Sequence, residues 1–459
     1  MVKALLRKIL PTFLLDWYHR AFATLGAFWY GFPSEKMVVI GVTGTNGKST
    51  TGYFIAKMLE HAGFKTGMTS TAVFKIADRE WLNDKKMTML GRFQLQRMLR
   101  DMVRAGCQYA VIETSSEGVK QYRHRGINYD VAVFTNLTPE HLETHGGFEN
   151  YKKAKGELFA WLTMKKRKAF FRHPERSPAK QDGVEGSNPI QKTIVVNADD
   201  EHAEYFLSFR ADQKVIFSTN LANTVGEAGM GEIIAEEIKT GARGVTFSVF
   251  GTSFSLQMPG RHNMYNALAA IATVNALGVS LEQCAAGLKK ITGVPGRMER
   301  IDEGQPFTVL VDYAPEIASM ERLYETVREI PHKRVLHVLG SCGGGRDRAR
   351  RPVLGRLAGE NADMVFVTNE DPYDDDPMEI INEVADGAVT AGKRDHENLF
   401  RIIDRQQAIE QAIAAAQPND LVLITGKGCE QAICVARGHK MPWDDREVAR
   451  AALALLAKK

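Results

Sequence analysis
Thr43-Gly44-Thr45-Asn46-Gly47-Lys48-Ser49-Thr50 follows directly on the apolar run Met37-Val38-Val39-Ile40-Gly41-Val42 and leads into a helical pattern over residues 48–61. A short apolar strand, a glycine-rich turn and a helix in that order make a phosphate-binding unit. Gly44 and Gly47 let the backbone turn so that consecutive N–H groups face phosphate oxygens at the positive end of the helix. Lys48 is placed to neutralise β- and γ-phosphates, and the Ser49 hydroxyl to bind Mg²⁺. The general pattern has a further glycine where Val42 stands, so the loop is a variant of it.

Outward from this unit, apolar strand candidates lie at 109–112 and 130–134, with helical patterns at 92–105 and 150–161. Strands alternating with helices predict a mostly parallel sheet covered on both faces. The polar stretch 173–190, rich in Pro, Gly and Ser, reads as an exposed loop, and strand-like sequence resumes at Thr193. A turn signal at Val294-Pro295-Gly296-Arg297 separates this block from a second one, with strands near 307–311, 334–339, 363–367 and 420–424. The last helix, 446–457, is followed by two lysines that suit its C-terminal dipole.

The 459 residues are 44% hydrophobic and 25% charged, which excludes disordered and disulfide-scaffold classes. At roughly 100–200 residues per domain the length suggests about three domains. A net charge of +4, with no dominant basic block, argues against nucleic acid as a partner. Cys107, Cys284, Cys342, Cys429 and Cys434 are scattered without a C-x-x-C pair, as expected of reduced thiols in a cytoplasmic protein. Residues 1–36 differ from the rest. Leu6, Ile9, Leu10, Phe13, Leu14 and Trp17 recur at helical spacing beside Lys3, Arg7, Lys8 and Arg20, with Pro11 as a kink. This reads either as a helical arm packed on the following domain or as an interfacial helix at a membrane surface.

More motifs follow in order: Glu113-Thr114-Ser115-Ser116 with Arg123, Asn136-Leu137-Thr138-Pro139-Glu140-His141, Tyr151 to Lys155, Gly260 to Asn263 with Asn266, Gly296-Arg297, Asp312-Tyr313-Ala314, Gly343 to Asp347, and Gly426-Lys427-Gly428. In this order and spacing the chain resembles the Mur ligase family, which builds the stem peptide of peptidoglycan. It most resembles the branch that adds the third residue, a diamino acid. The resemblance implies an α/β fold: a helical arm (1–36), a central P-loop ATPase domain (37–298) with a mostly parallel sheet, and a Rossmann-like C-terminal domain (299–459). It also implies that ATP phosphorylates an acceptor carboxylate and that an amine attacks the resulting acyl phosphate.

The resemblance assigns roles residue by residue. Lys48, Glu113, His141 and Lys155 form the catalytic set. Ser49, Glu113, His141 and a carbamylated Lys155 serve two Mg²⁺ ions, since a carbamate offers the cation an anionic oxygen. Thr45, Asn46, Gly47, Lys48, Ser49 and Thr50 hold the ATP phosphates, joined by Asn266 at the adenine, Arg297 at the phosphates and Asp312 at the ribose. Ser115, Ser116, Arg123, Arg346, Glu370, Asp371, Tyr373, Gly426, Lys427 and Glu430 form the side that binds the muramoyl peptide and the amino acid.

Departures from the family pattern mark the specificity end. Thr368 to Tyr373 aligns with an element whose arginine grips the distal carboxylate of meso-diaminopimelate, and here Tyr373 takes that position. A phenol cannot make the bidentate, charge-assisted clamp of a guanidinium. With Glu370 and Asp371 the neighbourhood reads as acidic, which predicts a preference for L-lysine. Cys429 and Pro315 stand where the family has histidines, and Met87-Thr88-Met89 replaces paired threonines. Family members carry a UDP-binding N-terminal domain of roughly a hundred residues, whereas 36 residues precede the ATPase strand here. The alternatives this leaves are a lipid-linked or other acceptor, and a homologue that binds ATP without catalysis.

Overall fold
The computed structural model describes residues 12–139, 145–168, 189–220, 222, 230–345 and 348–456, with side chains from residue 17 onward. Helix α1 (Thr12–Trp29) leads to strand β1 (Val38–Thr43) and helix α2 (Lys48–His61). Then come β2 (Thr66–Thr69), β3 (Val73–Ile76), β4 (Arg79–Leu82), α3 (Arg92–Arg104), β5 (Tyr109–Glu113), α4 (Ser116–Lys120), β6 (Val131–Phe134) and α5 (Phe148–Thr163). The chain continues through β7 (Thr193–Asn197), α6 (Ala203–Leu207), β8 (Gln213–Ser218) and β9 (Gly231–Ile234). An antiparallel sheet of β10 (Glu236–Gly241), β11 (Gly244–Val249) and β12 (Thr252–Leu256) precedes α7 (Arg261–Ala276) and α8 (Leu281–Lys289).

The main sheet has the order β4-β3-β2-β5-β1-β6-β7-β8-β9. It is parallel from β2 to β9, with β3 and β4 folded back antiparallel at one edge. Side chains of β1 alternate between its faces. Ile40 and Val42 enter one core with α2, α7 and α8, while Val39 enters the other with α3 and α5. Both faces are covered, which explains why the strands read as near-continuous apolar runs. Helix α7 is buried almost all round, from Asn263 to Val274.

The second block is built on the sheet β13-β14-β18-β15-β16-β17. Its elements are β13 (Glu299–Ile301), β14 (Thr308–Val311), α9 (Ile317–Glu329), β15 (Val335–Leu339), α10 (Arg350–Asn361), β16 (Met364–Thr368) and α11 (Pro377–Thr390). They are followed by β17 (Leu399–Ile402), α12 (Arg405–Ala415), β18 (Leu421–Ile424), a small hairpin of β19 (Ala432–Cys434) and β20 (Lys440–Pro442), and α13 (Asp445–Leu456). Only β13 is antiparallel to its neighbour. Helices α9 to α11 cover one face and α12 and α13 the other.

The predicted strands and helices are found within a residue or two of their expected ends, whereas β2 to β4, β8 to β13, β17 and the β19–β20 hairpin have no counterpart in the sequence reading. The polar stretch 173–190 falls almost wholly outside the described residues. Helix α1 packs by Ala23 and Ala27, with Phe22 edge-on to Phe93 of α3 at 6.2 Å. Its opposite side leaves Trp17, Phe28 and Trp29 exposed.

Candidate active site
Chain order reverses around β1, with β5 on one side and β6 on the other, so a crevice opens beyond the carboxyl ends of these strands. The phosphate loop lies there. Gly44 has φ 148° and Gly47 φ 83°; a Cβ on the first would lie 2.0 Å from Thr135 Oγ1, and on the second 2.1 Å from Asn266 Oδ1. Only glycine fits both places. The loop is held from below: Asn46 N–H donates to Asn136 Oδ1 at 3.0 Å, and Thr45 N–H to the Asn136 carbonyl at 2.8 Å. The Lys48 ammonium bonds the carbonyls of Gly44 (3.0 Å) and Thr45 (2.6 Å), so it lies across the loop.

Ser49 and Thr50 open α2, and Ser49 Oγ donates to Glu113 Oε2 at 2.7 Å. Glu113 ends β5, buried, and also accepts from Thr71 N–H at 2.7 Å. Lys155, on the buried face of α5, reaches the Gly44 carbonyl at 2.6 Å, with its ammonium 4.3 Å from the centre of the Tyr151 ring. Ser49, Glu113 and Lys155 therefore converge on one loop from three elements. His141 lies outside the described residues. Among those residues no cluster of three His, Cys, Asp or Glu side chains is arranged to hold a metal. The Ser49 hydroxyl and Glu113 carboxylate are nonetheless oxygen donors of the kind a hard divalent cation takes.

Across the crevice, Arg297 lies 4.6 Å over the Tyr313 ring with its guanidinium 3.5 Å from Ser49 Oγ. Asp312 is buried and accepts from Met298 N–H at 2.7 Å. Burial raises its carboxyl above the ordinary range, with Arg297 opposing. Asn266, in the first turns of α7, is buried directly against the phosphate loop, where Thr51 Oγ1 meets its Oδ1 at 3.4 Å. Residues from both sheets line one cavity of about 560 Å³.

At the far end of that cavity the expected acidity is cancelled. Lys427, fully buried, donates to Asp371 Oδ1 at 2.9 Å and Glu430 Oε2 at 2.7 Å. Lys86, from the loop after β4, reaches Asp371 Oδ2 at 2.6 Å and Glu430 Oε2 at 3.2 Å. Burial pushes the Asp371 carboxyl up, but Lys427 and Lys86 outweigh it and hold the group below its ordinary value. Glu370 accepts from Cys342 Sγ at 2.9 Å, and burial raises its carboxyl against the opposing charge of Arg350. Two carboxylates carrying two ammonium partners are not an acidic pocket. The nearby run Asp374 to Asp376 is exposed; Asp376 caps α11, and Asp374 accepts from Arg437 N–H at 2.7 Å.

Tyr373 lines the cavity with φ 53°. Gly426 passes behind Glu370, where an added Cβ would come within 2.6 Å of Oε2. Ser115 and Ser116 also line the cavity, although the Ser115 hydroxyl caps α4 by accepting from Gly118 N–H. Arg123 is drawn away, bonding the Met89 carbonyl and Gln121 Oε1. Arg346 lies outside the described residues. Burial pushes the Cys429 thiol up to about 11, consistent with an inert side chain. Sequence reasoning missed Lys86, Thr71 and Arg350, which no local pattern distinguishes from solvated residues.

Comparison with known proteins agrees with this architecture. The model of the Mur ligase middle domain matches residues 42–177 and 178–274, and that of the Mur ligase glutamate ligase domain matches residues 296–428. The UDP-N-acetylmuramyl-tripeptide synthetase of Roseiflexus sp. (strain RS-1) is 42% identical over 442 residues, 95% of this chain and 82% of the relative. The UDP-N-acetylmuramoyl-L-alanyl-D-glutamate--2,6-diaminopimelate ligase of Geobacillus kaustophilus (strain HTA426) is 37% identical over 96% of this chain and 84% of its own length. A solved structure of a ligase of the latter name superposes with a TM-score of 0.57 at 27% identity, covering 92% of this chain and 79% of that one. Folylpolyglutamate synthase of Mycobacterium tuberculosis, at 17% identity and a TM-score of 0.63, shares the fold. The chain belongs to the Mur ligase family of ATP-dependent amide ligases.

Proposed function
We propose that this chain adds a diamino acid, L-lysine or meso-diaminopimelate, to a muramoyl-L-Ala-D-Glu precursor of peptidoglycan. The observation that carries the reading is the cavity shared by the phosphate loop, the Ser49–Glu113 pair, Lys155, Arg297, and Asp371 and Glu430 with Lys427 buried behind them. The working parts are an arm (1–36), an ATPase domain (37–298) and a C-terminal domain (299–459) that brings the amino acid to the phosphate loop. The acceptor carboxylate takes the γ-phosphoryl group and ADP leaves. The amine then attacks the acyl carbon and phosphate departs. Such transfer between anions depends on alignment and charge neutralisation more than on covalent help. Lys48 and Arg297 supply fixed positive charge, and the walls of the cleft keep water from the acyl phosphate.

Ser49, Glu113, His141 and a carbamylated Lys155 would hold Mg²⁺, which when bound screens the phosphate charges. Tyr373 in place of a guanidinium favours L-lysine over meso-diaminopimelate, because a phenol cannot make the bidentate, charge-assisted clamp on a distal carboxylate. Phosphate release measured with each amino acid and the UDP-linked acceptor tests this. A clear diaminopimelate preference overturns the lysine reading, and ATP binding without turnover marks an inert homologue.

A second reading concerns the acceptor. Trp17, Phe28 and Trp29 project from α1 beside Arg20, which suits a bilayer interface. Among the described residues no helix is long and apolar enough to cross a membrane. On this reading the chain sits peripherally on the cytoplasmic face and acts on a lipid-linked precursor. Absence of liposome co-sedimentation, with full activity on the soluble acceptor, refutes it.

A further inference from the structure
Lys86 is the feature of the cavity that the proposed reaction does not use. It belongs to the ATPase half, yet every partner of its ammonium lies in the other half: Asp371 Oδ2 at 2.6 Å, Ala432 O at 2.9 Å and Glu430 Oε2 at 3.2 Å. An ammonium has three protons to donate, and here three acceptors surround it. The side chain is 6% exposed, and its backbone adopts φ 52°, a left-handed conformation that is unfavourable for a non-glycine residue. The strain and the burial persist because the ammonium is seated.

The same three acceptors are what the side-chain ammonium of a diamino acid needs. Lys427 approaches Asp371 and Glu430 from another side and is completely buried, so it is part of the wall. Lys86 instead lines the open cavity together with Asp371, Glu430 and Tyr373. We infer that Lys86 is a specificity-determining residue that occupies, from within the chain, the seat of the incoming amino acid's side-chain ammonium, and leaves it when a diamino acid binds. The inference rests on the diamino-acid reading above. A tethered occupant lowers apparent affinity by the fraction of molecules with the seat open; if Lys86 is seated in about nine of ten, the diamino-acid KM is raised about tenfold.

The test compares L-lysine, meso-diaminopimelate and L-norleucine (the lysine chain without its ammonium) as substrates in phosphate release by the full chain. In Lys86→Ala the ratio of the lysine KM to the norleucine KM falls about tenfold from its wild-type value, whereas general damage to the fold moves both substrates together. Lys86→Gly, which also relieves the left-handed backbone, shifts the ratio the same way and covers a poorly folding alanine variant. Turnover of lysine by the variants alone supports the proposal in its strongest form. A ratio that is unchanged or raised in both variants, with turnover intact, overturns the role of Lys86 and leaves the ligase reading standing. No turnover with either diamino acid in wild type and variants overturns the diamino-acid reading and this inference with it.

Discussion

Lys155 shows what one residue contributes when the fold delivers it to a charged site. It sits on α5 just after Lys152 and Lys153, and of the three only it turns inward to the phosphate loop; Lys152 instead pairs with Glu149 at 2.9 Å. Replacing Lys155 by alanine is expected to lower kcat about 10²–10³-fold, the scale of losing one preorganised charge partner in an active site. ATP binding, followed by nucleotide fluorescence, persists in that variant. That Ser49 and Glu113 belong together is implied by the family resemblance of the two motifs, since a lone carboxylate at a strand end reads equally as a solvated residue or a cap. Lys86 was not readable. Its partner Asp371 lies 285 residues further along the chain, and nothing in Lys85-Lys86 separates it from two solvated lysines.

At the scale of elements, the unit from β1 through the loop to α2 carries the strongest sequence signal and the tightest geometry. Gly47→Ala places a Cβ 2.1 Å from Asn266 Oδ1 at φ 83°. The left-handed conformation alone costs about 1–2 kcal/mol. The Cβ clash with buried Asn266 adds to that, so ATP affinity should fall more than tenfold, as titration calorimetry would show. The central parallel strands β1, β5, β6 and β7 are readable because both faces are buried, which leaves continuous apolar runs. Strand β17 escaped notice because only Leu399 is fully buried and Arg401 interrupts the pattern to pair with Asp395 and Asp386.

For the whole molecule, two fully buried histidines make stability depend on pH. Burial, assisted by Arg125, holds His124 down to about 3, and burial, assisted by Arg405, does the same for His337. Both stay neutral in the fold while the unfolded chain takes up protons below its ordinary value of 6.5. Stability from these groups is thus complete above about pH 6.5 and declines as the pH falls toward 3, by about 1.4 kcal/mol per pH unit for each. Urea midpoints at pH 7 and pH 5 should show the drop, and His337→Gln should lessen it if the variant folds. The two sheets meet at a single cleft, and the account as a whole stands on carboxylate activation taking place there. The direct measurement uses an acceptor whose carboxylate is labelled with heavy oxygen, incubated with ATP and the diamino acid. Transfer of one labelled oxygen into the released phosphate is the predicted result; unlabelled phosphate released alongside amide product would contradict it.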